Sequence, residues 1–129
     1  MLTDMAQRDY SADTVIARFD NRTPNRIDTI EWFASVEDTR QLLRALAGPE
    51  MVEARAIMAI NPGLPRASFK GWDYVGFKGG SEPGVLNLTW LLRGQDGSWH
   101  MLTLHWNDTQ APVEEARLLG IAQRVLALP

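Results

Sequence analysis

A lysine followed by two glycines and a serine, Lys78-Gly79-Gly80-Ser81, is the segment of this sequence whose residue types and spacing point most directly to chemistry. Gly79 and Gly80 have no Cβ, so a ligand can approach the main-chain amides there while the Lys78 ammonium places a positive charge beside them. That combination suits an anionic, carbonyl-bearing ligand. Other candidates are weaker. His100 and His105 lie five residues apart in one extended run, so their side chains leave opposite faces and do not share a metal. They read as ordinary strand histidines, and no metal-ligand set or cofactor motif emerges. Glu31, Glu37, Asp38 and Glu53 have no spacing that singles out a carboxylate pair for acid-base work, and read as solvated helix charges. Trp72, Trp90, Trp99 and Trp106 have strand spacing that favours core packing, with at most one of them lining a pocket.

The elements that must position the lysine and the glycines follow from pattern and punctuation. Ser35 is a good N-cap, Glu37 and Asp38 fall in the first turn where the helix dipole favours carboxylates, and Leu42, Leu43 and Leu46 form an apolar stripe, predicting a helix over about 36–47. Gly48-Pro49 ends it and opens a second, about 50–60, carrying Met51, Ala54, Ile57 and Met58. Asn61-Pro62-Gly63-Leu64-Pro65 stops that one. Three strands follow, about 72–78, 84–92 and 99–106, the first ending in the Lys78 ledge. Glu82-Pro83-Gly84-Val85 fits a type II turn, and Asp96-Gly97 suits the next hairpin tip. A last helix, about 113–127, has Val113, Ala116, Leu119, Ala122, Val125 and Leu126 spaced for one face. The second and third strands are partly apolar on both faces and need cover on both sides, which predicts an α+β fold: a three-stranded antiparallel meander packed with helices.

Composition bounds the rest. The 129 residues are 45% apolar, enough for one domain with a real core. Residues 1–30 read as an irregular lead-in with one short helix or strand at Val15 to Phe19, and 31–129 as the domain. The net charge of −3 and the scattered arginines give no basis for a nucleic-acid partner. Lys70 and Lys78 are the sole lysines and cysteine is absent, so sulfur says nothing of redox compartment. Neither a signal peptide nor an apolar run long enough to span a membrane is expected, and localisation stays open.

With Lys78-Gly79-Gly80-Ser81 in hand, together with Glu31-Trp32-Phe33-Ala34-Ser35 upstream, Pro83-Gly84-Val85 downstream and the order of elements, the stretch from about Thr29 to Leu128 resembles the C-terminal portion of the serine β-lactamase and penicillin-binding-protein family. The resemblance is to its β-lactamase-like members with a Lys-Gly-Gly-Ser step. It implies that Lys78 corresponds to the lysine of the Lys-Thr-Gly strand, which helps anchor a substrate carboxylate. It also implies that Gly80 lets an acyl group lie against the strand and that the Ser81 amide is one of two oxyanion donors. Gly79 stands where threonine is commoner, which removes a hydroxyl that the Ser81 side chain partly replaces.

The departures are as informative. Ala67 lies three residues before Lys70 and Val75 three before Lys78, so Ser-x-x-Lys is absent, as is Ser-Asp-Asn. The residues before Thr29 are too few for the family's helical subdomain and first strands. The sequence therefore reads as a truncated or split member, with no complete catalytic set and an enzyme assignment left open. Two functions follow: a hydrolase component completed by a serine on another polypeptide, or a noncatalytic module that binds a small carboxylate, β-lactam or peptide end at the same ledge or only mediates assembly through its sheet. The strand at Trp99 to Trp106 lacks its family neighbour, which predicts a homodimer, a complementary chain, or cover by Val15 to Phe19.

Overall fold

The computed structural model describes Pro24, residues 26–30 and residues 33–128. Within them the order is helix α1 (Val36–Leu46), a 3₁₀ turn (Pro49–Met51) leading into α2 (Val52–Met58), a second 3₁₀ turn (Arg66–Phe69), strands β1 (Trp72–Glu82), β2 (Val85–Gly94) and β3 (Trp99–Asn107), and helix α3 (Glu115–Leu126). The strands form one antiparallel sheet in the order β1-β2-β3, and the α+β meander with three helices packed against it is as expected from the sequence. No helix among the described residues is long and apolar enough to cross a membrane. The expected element at Val15 to Phe19, and most of the 1–30 lead-in, fall outside the described residues.

Strand alternation sorts the sheet into two faces. Leu86, Leu88, Trp90 and Leu92 of β2 face Phe69 and the buried stripe Leu118, Ala122 and Leu126 of α3, in one apolar cluster extended by Val75, Phe77, Leu102 and Leu104. Trp90 is fully buried, and its indole N–H donates to the Pro62 carbonyl at 2.9 Å, so the ring brings no unsatisfied polar atom into the core. The Trp72 indole donates to the Leu126 carbonyl at 3.0 Å, tying the end of α3 to the start of the sheet. On the opposite face Leu91 is also fully buried, with α1 against β3 and α2 against β1.

Arg55 holds α1 and α2 in that arrangement. Its guanidinium donates to the carbonyls of Leu46 and Gly48, at and just beyond the C-terminus of α1 where backbone acceptors lack helical partners. It also lies over the Trp99 ring, 5.5 Å from its centroid, while its own carbonyl accepts from the Tyr74 hydroxyl. At the other end of α1 the N-cap is a full capping box. The Asp38 amide donates to Ser35 Oγ at 3.1 Å, and Asp38 Oδ2 accepts from the Ser35 amide at 2.8 Å.

The structure corrects several boundaries. β1 runs to Glu82 rather than stopping near Lys78, because the two-residue turn Pro83-Gly84 lets the β1–β2 ladder zip to Glu82↔Val85. Gly84 sits at φ +81°, the left-handed residue that a type II turn requires. β2 and β3 likewise extend to Gly94 and Asn107. The second helix begins as a 3₁₀ turn at Pro49 and is α-helical only over 52–58, and the third begins at Glu115 instead of 113. On α3 the buried positions are Leu118, Ala122 and Leu126, while Val125 is exposed, so the packed face is rotated from the one the apolar spacing suggested. On α1 only Leu43 of the leucine stripe is buried, and Leu42 faces outward.

Candidate functional site

The Lys78 step lies inside β1, paired as Lys78↔Thr89, Gly79↔Leu88, Gly80↔Asn87 and Ser81↔Leu86. It is therefore a strand edge and not a ledge beyond the strand. Among the described residues no strand pairs with the outer side of β1, so alternate residues there present main-chain N–H and C=O outward. The Lys78 ammonium donates to the Gly79 carbonyl, which marks Gly79 as one of those outward residues. Ser81, two residues on, shares its orientation.

Lys78, Gly79, Gly80 and Ser81 line one groove of about 720 Å³, closed on one side by Ile57, Met58 and Ile60 and bordered by the Glu115 carboxylate of α3. Lys78 and Ser81 are an odd number of residues apart and leave opposite faces of β1, so their side chains do not converge. The two glycines differ. A Cβ on Gly79 would sit 2.8 Å from the Phe77 ring, whereas at Gly80 nothing lies within 4 Å. Packing against Phe77 accounts for Gly79. Gly80 faces open space, and no contact with a described residue demands a glycine there.

Among the described residues the serines serve other roles. Ser35 donates to Asp38 Oδ2 at 2.7 Å and serves its cap. Ser98 lies between Asp96 and His100, 2.6 Å from Asp96 Oδ1 and 2.7 Å from His100 Nε2, which superficially resembles a catalytic arrangement. Proton counting excludes it. The hydroxyl has one hydrogen, and an ionised carboxylate only accepts, so Ser98 donates to Asp96 and accepts from His100. The same bond, with that from the Ser98 amide, holds the Asp96 carboxyl below its usual range. In a nucleophilic triad the order is hydroxyl to imidazole to carboxylate; here the imidazole stands at the wrong end. Among the described residues no serine is placed to hand its proton to a histidine or lysine.

A second concavity is absent from the sequence reading. On the face opposite the α3 cluster, Asn87, Thr89, Thr103 and His105 form a continuous hydrogen-bonded chain across β2 and β3. Thr89 Oγ1 donates to Asn87 Oδ1 at 3.0 Å, Thr89 and Thr103 hydroxyls meet at 2.9 Å, and Thr103 Oγ1 meets His105 Nε2 at 2.8 Å. His105 and Asn87 reach a cavity of about 660 Å³ whose wall includes the first turn of α1. His100 pairs with Leu92 and His105 with Asn87, so the two histidines stand on opposite faces as expected. Among the described residues no cluster of His, Cys, Asp or Glu is arranged to hold a metal ion. The sequence signal for this chain was Asn-x-Thr at 87–89 and Thr-x-His at 103–105, two polar i, i+2 pairs on strands that a hairpin brings together. Trp72 lines a further concavity beside Tyr74, while the Trp106 ring packs on the α3 side beneath Arg117.

No protein-family model matches the chain, and no curated protein sequence does.

Proposed function

We propose that the outer edge of β1 from Lys78 to Ser81 binds a small carboxylate- or carbonyl-bearing ligand, such as a β-lactam or a peptide end, without turning it over. The reading places the chain as a truncated or split relative of the serine β-lactamase and penicillin-binding-protein group. The observation that carries it is the single groove that gathers a cation, an outward-facing edge backbone and an apolar wall. Such an edge accepts a ligand carbonyl at its outward N–H groups and extends it along the strand, with Lys78 supplying the charge. Lys78 must first leave the Gly79 carbonyl, an exchange of one hydrogen bond for a charge-assisted pair. With no activated serine on the described residues, electrostatic stabilisation has no reacting group to act on, and acyl transfer requires a nucleophile from outside them.

The test separates binding from turnover. Purified chain is incubated with a chromogenic β-lactam and with a serine-directed acylating probe, and penicillin binding is followed by calorimetry. The expected result is saturable binding, no hydrolysis and no acylation, with affinity reduced about tenfold or more in Lys78→Ala, as for loss of a charge-assisted contact. Acylation of Ser81, Ser68 or Ser35 would show that a nucleophile is present after all. Absence of binding would end the ligand reading.

The outer edge of β3 favours a second reading, assembly. Among the described residues no strand pairs with it, and an open nine-residue edge recruits another strand. We infer a homodimer or a complementary chain through Trp99–Asn107. Light scattering should give a mass above one chain, with slowed amide exchange over these residues; a monomer whose 99–107 amides exchange freely defeats it.

A further inference from the structure

We propose that the cavity beside His105 is a binding site for a primary amine with an apolar body, distinct from the β1 edge and independent of the reading given above. Its inner wall is the hydrogen-bonded chain of Asn87, Thr89, Thr103 and His105, and the chain has a direction. With Thr89 donating to the Asn87 carbonyl, its oxygen can take only an incoming hydrogen from Thr103. Thr103 has then spent its own hydrogen, so the Thr103–His105 contact is filled by His105 Nε2–H. The neutral ring therefore carries its lone pair on Nδ1, a nitrogen to which no described residue is hydrogen-bonded. Thr89 is buried, which keeps water from reorienting the chain from below.

The remaining wall selects the ligand's charge and shape. Asp28 and Asp38 contribute carboxylates, and no described lining residue is a lysine or arginine, so an anion is repelled and a cation attracted. Ile27, Phe33 and Val85 supply apolar surface for a hydrocarbon or aromatic body. A bare divalent ion is a poor fit, since the described residues hold no cluster of ligands for one. A primary ammonium fits every part: one N–H to His105 Nδ1, the charge to the carboxylates, the body on the apolar floor. The volume of about 660 Å³ lies in the range of small-molecule sites.

Benzylamine is the probe, with benzyltrimethylammonium and benzoate as controls, followed by NMR on the Val85 methyls and the His105 ring of the full chain. Benzylamine should produce saturable shifts at both, benzyltrimethylammonium should bind more weakly, and benzoate should produce none. The free protein's ring nitrogens should show the Nε2–H tautomer. Asp28→Asn, at an exposed position, and His105→Ala should each weaken benzylamine about tenfold, the loss of one charge-assisted hydrogen bond. Native Trp90 indole shifts verify that each variant is folded. Absence of saturable shifts, equal response to benzoate, equal affinity for the quaternary ammonium, or indifference to both substitutions each overturns the proposal.

Discussion

On one side of β2, Leu86, Leu88, Trp90 and Leu92 are closed over by α3 and Phe69 with no hydroxyl among them; on the other, Asn87 and Thr89 alternate with Leu91 and extend a polar chain to β3. Both sides belong to the same ten residues, offset by one position. The dry side draws its stability from apolar area and packing, which are non-directional, and tolerates any ligand-free environment. The polar side must satisfy each donor and acceptor, so its geometry is fixed residue by residue, and one ring nitrogen is left over for a ligand. Stability and chemistry are thus separated across the thickness of a single strand.

The largest test of that division is Trp90→Ala. The side chain is fully buried and its N–H is satisfied by Pro62, so truncation removes a large aromatic, opens a cavity and leaves a carbonyl without its donor. A loss of about 3–5 kcal/mol is expected. Urea denaturation followed by far-UV circular dichroism measures it. A loss near that of a surface substitution would mean that the α3 side is not the main source of stability.

Thr89→Val probes the opposite side at nearly constant volume. It strands the Asn87 carbonyl and frees the Thr103 hydroxyl, at a cost of about 1–3 kcal/mol for buried hydrogen-bonding groups left unpaired. A packing role alone would predict a near-neutral change. Released from Thr89, Thr103 is also free to donate to His105 Nε2, so ¹⁵N shifts of the ring should move toward the Nδ1–H tautomer. An unchanged tautomer with a folded protein would show that the chain has no fixed direction.

The adjacent glycines of β1 repeat the contrast between neighbours. Gly79→Ala drives a methyl into the Phe77 ring, itself tilted against Trp90, and should cost about 1–3 kcal/mol through overpacking. Gly80→Ala meets nothing and should leave stability within about 0.5 kcal/mol of the parent. Differential scanning fluorimetry distinguishes the two. Equal melting temperatures would remove the structural explanation for Gly79 and return both glycines to the ligand.

Much of this architecture was legible in the residues. Ser35 with Asp38, Pro83-Gly84 and the alternation of Leu86, Leu88, Trp90 and Leu92 each specify a local geometry that no distant contact overrides. Element ends were less legible, because whether Gly79 to Glu82 continue a strand depends on a partner strand that local propensity does not see. Of the apolar residues that mark α2, Ile57 is 68% exposed, and Ile60, just beyond the helix, is 76% exposed. Seven helical residues cannot turn every apolar side chain toward one sheet, and periodicity does not reveal how much sheet lies beneath. The His105 chain escaped for a similar reason. Its four members become neighbours only through register, and Thr-x-His has no meaning until Asn-x-Thr is set opposite it.

The smallest expected effect lies outside both faces of β2, in the exposed carboxylates of α1. Arg40, hydrogen-bonded to Glu37 at 2.6 Å, brings the Glu37 carboxyl from the usual 4.5 to about 2, aided by Gln41. The Ser35 hydroxyl, then its amide, lowers Asp38. Both groups are more acidic in the folded chain than in the unfolded one, so their contribution is fully present above the unfolded values and is lost as pH falls through the folded ones. The melting temperature should therefore decline as pH is lowered from about 5 toward 2, and the gap between the parent and Asp38→Asn should close over the same interval. Because these groups are fully solvated, the Glu37–Arg40 part should also shrink in molar salt. The Trp90→Ala deficit should be insensitive to both variables, since apolar burial carries no proton. A Trp90→Ala deficit that tracked pH as the Asp38→Asn deficit does would mean that the α3 side is electrostatically coupled to α1, and the separation of the two sides would fail.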